Sequence, residues 1–227
     1  MIDKKGGIMK LVAAVVLIGA LLVSPAVIQA KDISVNLKAG TTGIGVEGEY
    51  SLNEYLGARL GGNYFKYSYD GTDDDVKYNY DLGLKTLSAL IDYHPFKGSF
   101  RLSGGAFYNG NKLDATATSS ASYNIGNSTY TGAQLGTLKG TIDYKKFAPY
   151  AGLGWDTSFG KESGWGFVFE AGALFQGTPK VALSADGPIS TDLTFQQELA
   201  LEQKNLQDDL DHYKVYPVVS LGVSYRF

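Results

Sequence analysis

The sequence predicts an all-β chain: an eight-stranded antiparallel transmembrane β-barrel with short periplasmic turns, long extracellular loops and one loop helix. Three observations carry this. Runs of residues alternate between apolar and polar with period 2, the connections after the first alternate short and long, and the polar face is glycine, serine and a few charges. The first is the pattern of strands with two unlike faces. The second is the asymmetry of bacterial membrane barrels. The third separates such a barrel from a soluble β-sandwich, which would stud its water-facing side with Lys, Glu and Thr. Small residues suit a crowded, narrow interior instead.

The first thirty residues read as a leader. Lys4, Lys5 and Lys10 precede the uncharged run Leu11 to Val23, and "SPAVIQA" closes the segment before Lys31. A basic start, a short apolar run and a small residue at the cut predict a secretory signal peptide over residues 1–30, cleaved after Ala30, with the barrel domain over 31–227. The apolar run is shorter than the roughly 20 residues of a membrane-spanning helix, the alternative reading. Initiation at Met9 would give a more compact signal. With no cysteine, the chain has neither a disulfide framework nor a lipid-attachment thiol.

The strands follow in order. "ISVNLKA" (33–39) and "IGVEGEYSL" (44–52) flank "GTTG", and the apolar parity flips between them, which suits a tight turn better than one long strand. After "NE" come Tyr55 to Tyr69, the acidic loop "DGTDDD", and Val76 to Tyr93. The turn "HPFKG" leads to Ser99 through about Ala115, then a long Ser/Thr/Gly-rich loop runs to Gly140. Thr141 to Ser158, the turn "FGKESG", Trp165 to about Ala182, a second long loop and a closing strand from about Tyr213 complete eight. An even count puts both termini on the periplasmic side. The 29 glycines, 16 tyrosines and 11 phenylalanines fit strands with tight interiors. A net charge of −3 with no basic stripe argues against nucleic acid as a partner.

The faces are unequal. In "WGFVFEAGALFQ" one face is Trp165, Phe167, Phe169, Ala171, Ala173 and Phe175, and the other is Gly166, Val168, Glu170, Gly172, Leu174 and Gln176. Trp155, Trp165, Phe100, Tyr225 and Phe227 gather near strand ends on the greasy face, as an interfacial girdle does.

The closing "VSLGVSYRF", with Leu221, Val223, Tyr225 and Phe227 at alternate positions, resembles the C-terminal assembly signal of Gram-negative outer-membrane proteins. "YDLGLKTLSALIDYHPFKGSFRLSGGAFYNGNK", "KFAPYAGLGW" and "LFQGTPKVALSA" resemble small proteobacterial barrels of the porin-like and surface-antigen type, with membrane domains like those of OmpA and OmpW. The resemblance implies residence in the outer membrane, contact with its lipids and lipopolysaccharide, and handling by the barrel-assembly machinery. It implies little about activity.

Eight strands enclose a space just wide enough for side chains. The inward phase carries Glu47, Glu49, Arg59, Asp92, Arg101, Glu170 and Arg226, with Asp92, Arg101 and Arg226 near the short-turn end. Charges of both signs in a narrow lumen should pair. That predicts a structural ion-pair plug, with a gate or narrow path for small solutes as the alternative. No catalytic set, cofactor site or metal site is expected. His94 falls in a short turn, His212 beside Asp211 reads as a solvated pair, and Asp70, Asp73, Asp74 and Asp75 match no calcium loop. A lipid-modifying enzyme is therefore the weakest reading. "STDLTFQQELALEQKNLQDDLDHYK" (190–214) loses period 2 and gains helix formers. It predicts a helix of about 15 residues over 194–210, capped through Thr194 to Gln197, with Phe195, Leu199, Leu206 and Leu210 on one face interrupted by Glu202. Such a helix is either a lid on the barrel mouth or a contact for an unknown surface partner.

Overall fold

The computed structural model describes residues 32–73, 76–119 and 122–227. The signal peptide expected over 1–30, and Asp74 and Asp75 of the acidic stretch, lie outside the described residues. In chain order the strands are β1 (Ile33–Gly40), β2 (Gly43–Ser51), β3 (Leu56–Asp73), β4 (Val76–Tyr93), β5 (Phe100–Asn109), β6 (Lys112–Ser119), β7 (Ser122–Ile125), β8 (Ser128–Thr131), β9 (Thr137–Asp143), β10 (Phe147–Asp156), β11 (Gly164–Phe175), β12 (Lys180–Ala185) and β13 (Val215–Arg226). Helix α1 (Gly132–Leu135) precedes β9, and α2 (Leu193–Leu210) precedes β13.

Among the described residues eight strands close a ring, β1-β2-β3-β4-β5-β10-β11-β13, with every neighbour antiparallel. The parity flip after Ala39 is a tight turn, because Gly40 faces Gly43 across Thr41 and Thr42. Closure removes every unpaired edge inside the membrane, where no water is present to satisfy one.

The outward face is apolar. Phe167, Leu60 and Leu221 are 73%, 68% and 66% exposed, an area of greasy surface that water would not tolerate and lipid covers. At the short-turn end the rings of Phe96, Phe100, Trp155 and Phe169 follow one another, and Trp165, Tyr225 and Phe227 form a second chain. Tyr64, Tyr108, Phe147 and Phe175 mark the other rim. From Trp155 to Phe147 the chain rises about 26 Å along β10, hence about 20 Å along the membrane normal at barrel tilt, close to the height of an apolar band.

Beyond that rim the ring opens into a sheet of β3, β4, β6, β9 and β12. This corrects three expectations. The long loop expected from about Ala115 to Gly140 contains the second half of β6, the hairpin β7–β8, α1 and the start of β9. The acidic stretch from Asp70 continues β3 as far as Asp73, where it faces Val76. The second loop begins only after Ala185. Helix α2 covers part of the sheet: Phe195 and Leu199 are buried with Ile125 and Leu135, against Leu138, Leu183 and Ala185. It spans 18 residues rather than about 15, and its cap is Asp192, whose side chain accepts from Phe195 N at 2.9 Å, rather than Thr194. Asp is the better cap because its carboxylate reaches the free N–H groups of the first turn and complements the helix dipole.

The β12 edge is closed by glutamines. Leu183 N donates to Gln203 Oε1 at 3.1 Å, and Val181 N donates to Gln207 Oε1 at 3.2 Å. Four helical residues rise about 6 Å and two strand residues about 6.6 Å, so an i, i+4 pair on a helix can serve alternate amides of an edge strand. Glu202, which breaks the apolar stripe, accepts from Gly126 N at 3.2 Å, and Glu198 accepts from Asn127 N at 2.6 Å. These contacts tie α2 to the β7–β8 hairpin.

Candidate functional site: the charged lumen

The barrel interior is layered. Uppermost is an apolar layer of Leu90, Phe107, Ala148, Tyr150, Leu174 and Val218. Below it, Arg59 sits at the centre of a charge cluster. Its Nη1 donates to Glu47 Oε2 and to Glu170 Oε2, each at 2.8 Å, and its Nε donates to Asp92 Oδ2 at 3.0 Å. Nη2 reaches Asp92 Oδ1 and Ser103 Oγ, both at 3.2 Å. Lys38 Nζ lies 2.6 Å from Glu47 Oε1 and 3.2 Å from Glu170 Oε2. The Tyr150 hydroxyl donates to Glu170 Oε1 at 2.6 Å. One planar guanidinium thus serves carboxylates from β2, β4 and β11, which its rigid fork of five donors permits.

A second cluster lies nearer the short turns. Arg101 Nη1 donates to Glu49 Oε2 at 3.2 Å and stands 3.9 Å from carboxylate oxygens of both Asp92 and Asp156. Asp156 Oδ1 accepts from the backbone and side chain of Ser158 and from Ser224 Oγ at 3.1 Å. Arg226 donates to Ser51 Oγ at 2.8 Å and lies 4.0 Å from Asp32. Its guanidinium lies 5.7 Å from the centre of the Phe159 ring, and that ring stacks on His94 at 3.4 Å. Phe159 comes from the β10–β11 turn, so a short turn folds inward to floor the barrel. His94 Nδ1 donates to Gly98 O at 2.7 Å, and burial lowers the imidazole pKa.

Glycine makes the packing possible. A Cβ on Gly152 or on Gly172 would lie 2.3 Å from the Tyr150 hydroxyl, and one on Gly61 would lie 2.5 Å from Glu47 Cγ. The small inner face is therefore the space that the charged side chains fill. Arg59, Asp92, Arg101, Asp156 and Glu170 are all 0% exposed. Even a water-sized sphere does not reach them.

The structure brings together six of the seven lumen residues read from the sequence, in two adjoining clusters, and leaves Arg226 at the floor. Three members escaped that reading. Lys38 shares the parity of Ser34 and Asn36, and Asp156 extends the even phase of Tyr150, Gly152 and Gly154, so strict alternation would have found both. Tyr150 reads as a core aromatic until its hydroxyl partner is known. Outside the lumen, Asp211 is held by Lys214 and Thr178, each at 2.8 Å, and these bonds lower its pKa. Among the described residues no group of side chains is placed to hold a metal ion.

The architecture matches solved barrels. CarO2 of Acinetobacter baumannii is similar at 26% identity and a TM-score of 0.58, over 86% of this chain and 98% of that one. CarO of the same organism is similar at 26% identity and 0.57, over 86% and 97%. The chain is an outer-membrane β-barrel. The attachment invasion locus protein Ail of Yersinia pestis matches at 13% identity and a TM-score of 0.36, over 86% and 96%. No family model and no curated protein matches the chain.

Of the four residues of the expected assembly signal, Leu221, Val223 and Tyr225 lie on β13 and Phe227 follows its end. Leu221 and Val223 are exposed on the lipid face, and Tyr225 and Phe227 are half-buried in the aromatic chain with Trp165.

Proposed function

We propose that this protein is a sealed outer-membrane barrel, both termini periplasmic, with a structural or surface-interaction role performed by the sheet and helix that it carries beyond the long-loop rim. The observation that carries the reading is the complete burial of the lumen charges. Hydrated ions cannot pass through a bore in which carboxylates and guanidinium groups already occupy each other's coordination sites. The head outside the rim, with its helix, hairpin and five-stranded sheet, is the part with surface to offer a partner. In this reading Leu221, Val223, Tyr225 and Phe227 address the chain to the barrel-assembly machinery. Closer kinship with OmpA- and OmpW-like membrane domains rests on the quoted sequence segments alone.

A second reading, a narrow path for small solutes, draws on one feature. Glu49 Oε1, Asp156 Oδ2, Arg101 Nε and both amide atoms of Asn36 are buried without a hydrogen-bond partner, and such groups favour hydration. Planar-bilayer recordings separate the two. The purified barrel should give no steady current, and Arg59→Ala and Glu170→Ala should not change that. Sustained current in the unsubstituted protein, altered by either change, would establish the channel.

A further inference from the structure

The sheet outside the rim has two edges, and one of them is closed. On the β12 side the glutamines of α2 occupy the edge amides. On the other side β3 outruns its neighbour. β2 pairs with β3 as far as Tyr64, which faces Ile44, whereas β3 keeps pairing with β4 until Asp73 faces Val76. Among the described residues no strand pairs with the outer edge of β3 from Phe65 to Asp73. Alternate residues there turn N–H and C=O groups outward. Proteins commonly blunt such an edge with a proline, a bulge or a shortened strand. No proline interrupts "YFKYSYDGT" (64–72), and the β3–β4 register runs through all 18 residues of β3 without a bulge. The face beside the edge is uncovered as well. One row crosses the sheet from Tyr69 through Tyr80, Ala115 and Gly140 to Leu183, and α2 packs on its Leu183 end. Four strand spacings, about 19 Å, separate β12 from β3, nearly twice the width of a helix. Tyr67 and Tyr69 accordingly stay 53% and 51% exposed, with Phe65 and Tyr80 exposed around them. The opposite face of the strand is polar: Lys66 lies 4.0 Å from Asp81, and Asp70 accepts from the Asn79 side chain.

We infer that the outer edge of β3 is a docking site for an extended segment of another polypeptide, which joins the sheet as a sixth strand. The inference rests on the proposed surface-interaction role of the head and names the chemistry of its partner. Main-chain groups of the edge supply affinity, and Phe65, Tyr67 and Tyr69 select alternate side chains of the incoming strand. The sequence of β3 itself shows a pattern that complements it. Laid antiparallel about Ser68, "YFKYSYDGT" sets Tyr67 opposite Tyr69, Lys66 opposite Asp70 and Phe65 opposite Gly71. The partner strand therefore carries aromatic residues on one side and charges of both signs on the other. A second copy in the same membrane is not that partner. It rises in the same sense, and the two-fold that brings its edge to this one sets the strands parallel, with donor opposite donor.

The test uses the whole folded protein in detergent micelles and a labelled synthetic peptide, YFKYSYDGT, as the probe. A second peptide carries methyl groups on the amide nitrogens of Ser68 and Tyr69. It keeps every side chain and loses one edge donor whichever way the register falls. A third carries Asp70→Lys. Binding is read by fluorescence anisotropy, the mode of attachment by backbone hydrogen exchange, and folding by the unboiled gel band. The parent peptide should bind saturably and slow exchange at every second amide between Phe65 and Thr72. The methylated peptide should bind about tenfold more weakly. Tyr67→Ser/Tyr69→Ser in the barrel should lose about tenfold in affinity while remaining folded, through two aromatic cross-strand pairs. Lys66→Glu in the barrel should weaken the parent peptide about fivefold, and the Asp70→Lys peptide should restore binding. No binding, binding without newly protected amides, or equal binding of the methylated peptide would overturn the inference; the last two would put the peptide on the aromatic face alone. Failure here leaves the sealed-barrel reading untouched, and failure of that reading shows as bilayer current instead.

Discussion

At the residue scale Arg59 is the group whose loss should be felt most. It neutralises Glu47, Asp92 and Glu170 at 2.8 to 3.0 Å with no exposed surface. Arg59→Met keeps the volume and removes the charge, leaving three carboxylates with Lys38 as the cation nearest to Glu47 and Glu170. Breaking a buried pair costs about 3–5 kcal/mol, mostly through the charge left behind. The midpoint of urea unfolding in micelles, followed by Trp155 and Trp165 fluorescence, should fall accordingly. Adding Glu170→Gln and Asp92→Asn should recover more than half of the loss, because it is uncompensated charge and not packing that destabilises. A triple variant no more stable than Arg59→Met would show that the cluster acts through shape. The sequence revealed the cast unevenly at this scale. Arg59 and Glu170 stand out as charges on a greasy strand, while Lys38 sits near a turn where a solvated lysine is the ordinary expectation.

At the element scale α2 is bound by apolar packing, by its glutamines and by the Glu198 and Glu202 contacts to the hairpin, and the first two predict different failures. Phe195 is 1% exposed and meets the Tyr130 ring edge-on at 5.2 Å. Gln203 and Gln207 hold the β12 amides. Phe195→Ala should cost about 3–5 kcal/mol of local stability and release the helix from the hairpin. Gln203→Ala/Gln207→Ala should cost about 2 kcal/mol, about 1 for each hydrogen bond. Limited proteolysis of the folded barrel reads this directly. Residues 193–210 should resist in the unsubstituted protein, be cut rapidly in Phe195→Ala and be cut at an intermediate rate in the glutamine double variant. Rapid cutting of the unsubstituted protein would make the helix a free recognition segment instead of a docked cover. The sequence carried this helix plainly, through its helix formers and lost alternation. It hid β6 and β9, because "KLDATATS" alternates Leu113, Ala115 and Ala117 with Asp114, Thr116 and Thr118 in residues common to loops. The contrast between its faces is slight, and the partners that make it a strand lie 19 to 43 residues away on β4 and β9.

At the scale of the whole molecule, closure decides whether any of this exists. The seam joins the first strand to the last, from Ser34 facing Arg226 to Gly40 facing Ser220, and Phe227 N extends it by donating to Ile33 O at 3.1 Å. No shorter part of the chain can complete the ring. Folding must therefore bring together residues almost two hundred positions apart, and contacts of that separation are slow to form because loop closure precedes any gain from them. The lipid face adds a constraint, since an open edge in the bilayer leaves backbone groups unsatisfied. The seam should thus be both the last feature to form and the condition for stability once formed. On a denaturing gel, protein from the outer-membrane fraction should migrate faster unboiled than boiled, because the closed barrel resists the detergent and stays compact. Deleting Phe227 removes one seam hydrogen bond and the ring that sits 5.0 Å from Tyr225, and should lower the fast-migrating fraction several-fold without abolishing it, since the remaining seam pairs persist. A fast band at full strength would place the assembly information in Leu221, Val223 and Tyr225, and the same gel on Tyr225→Ser would then locate it. Absence of any boiled-versus-unboiled shift in the unsubstituted protein would contradict the closed ring itself.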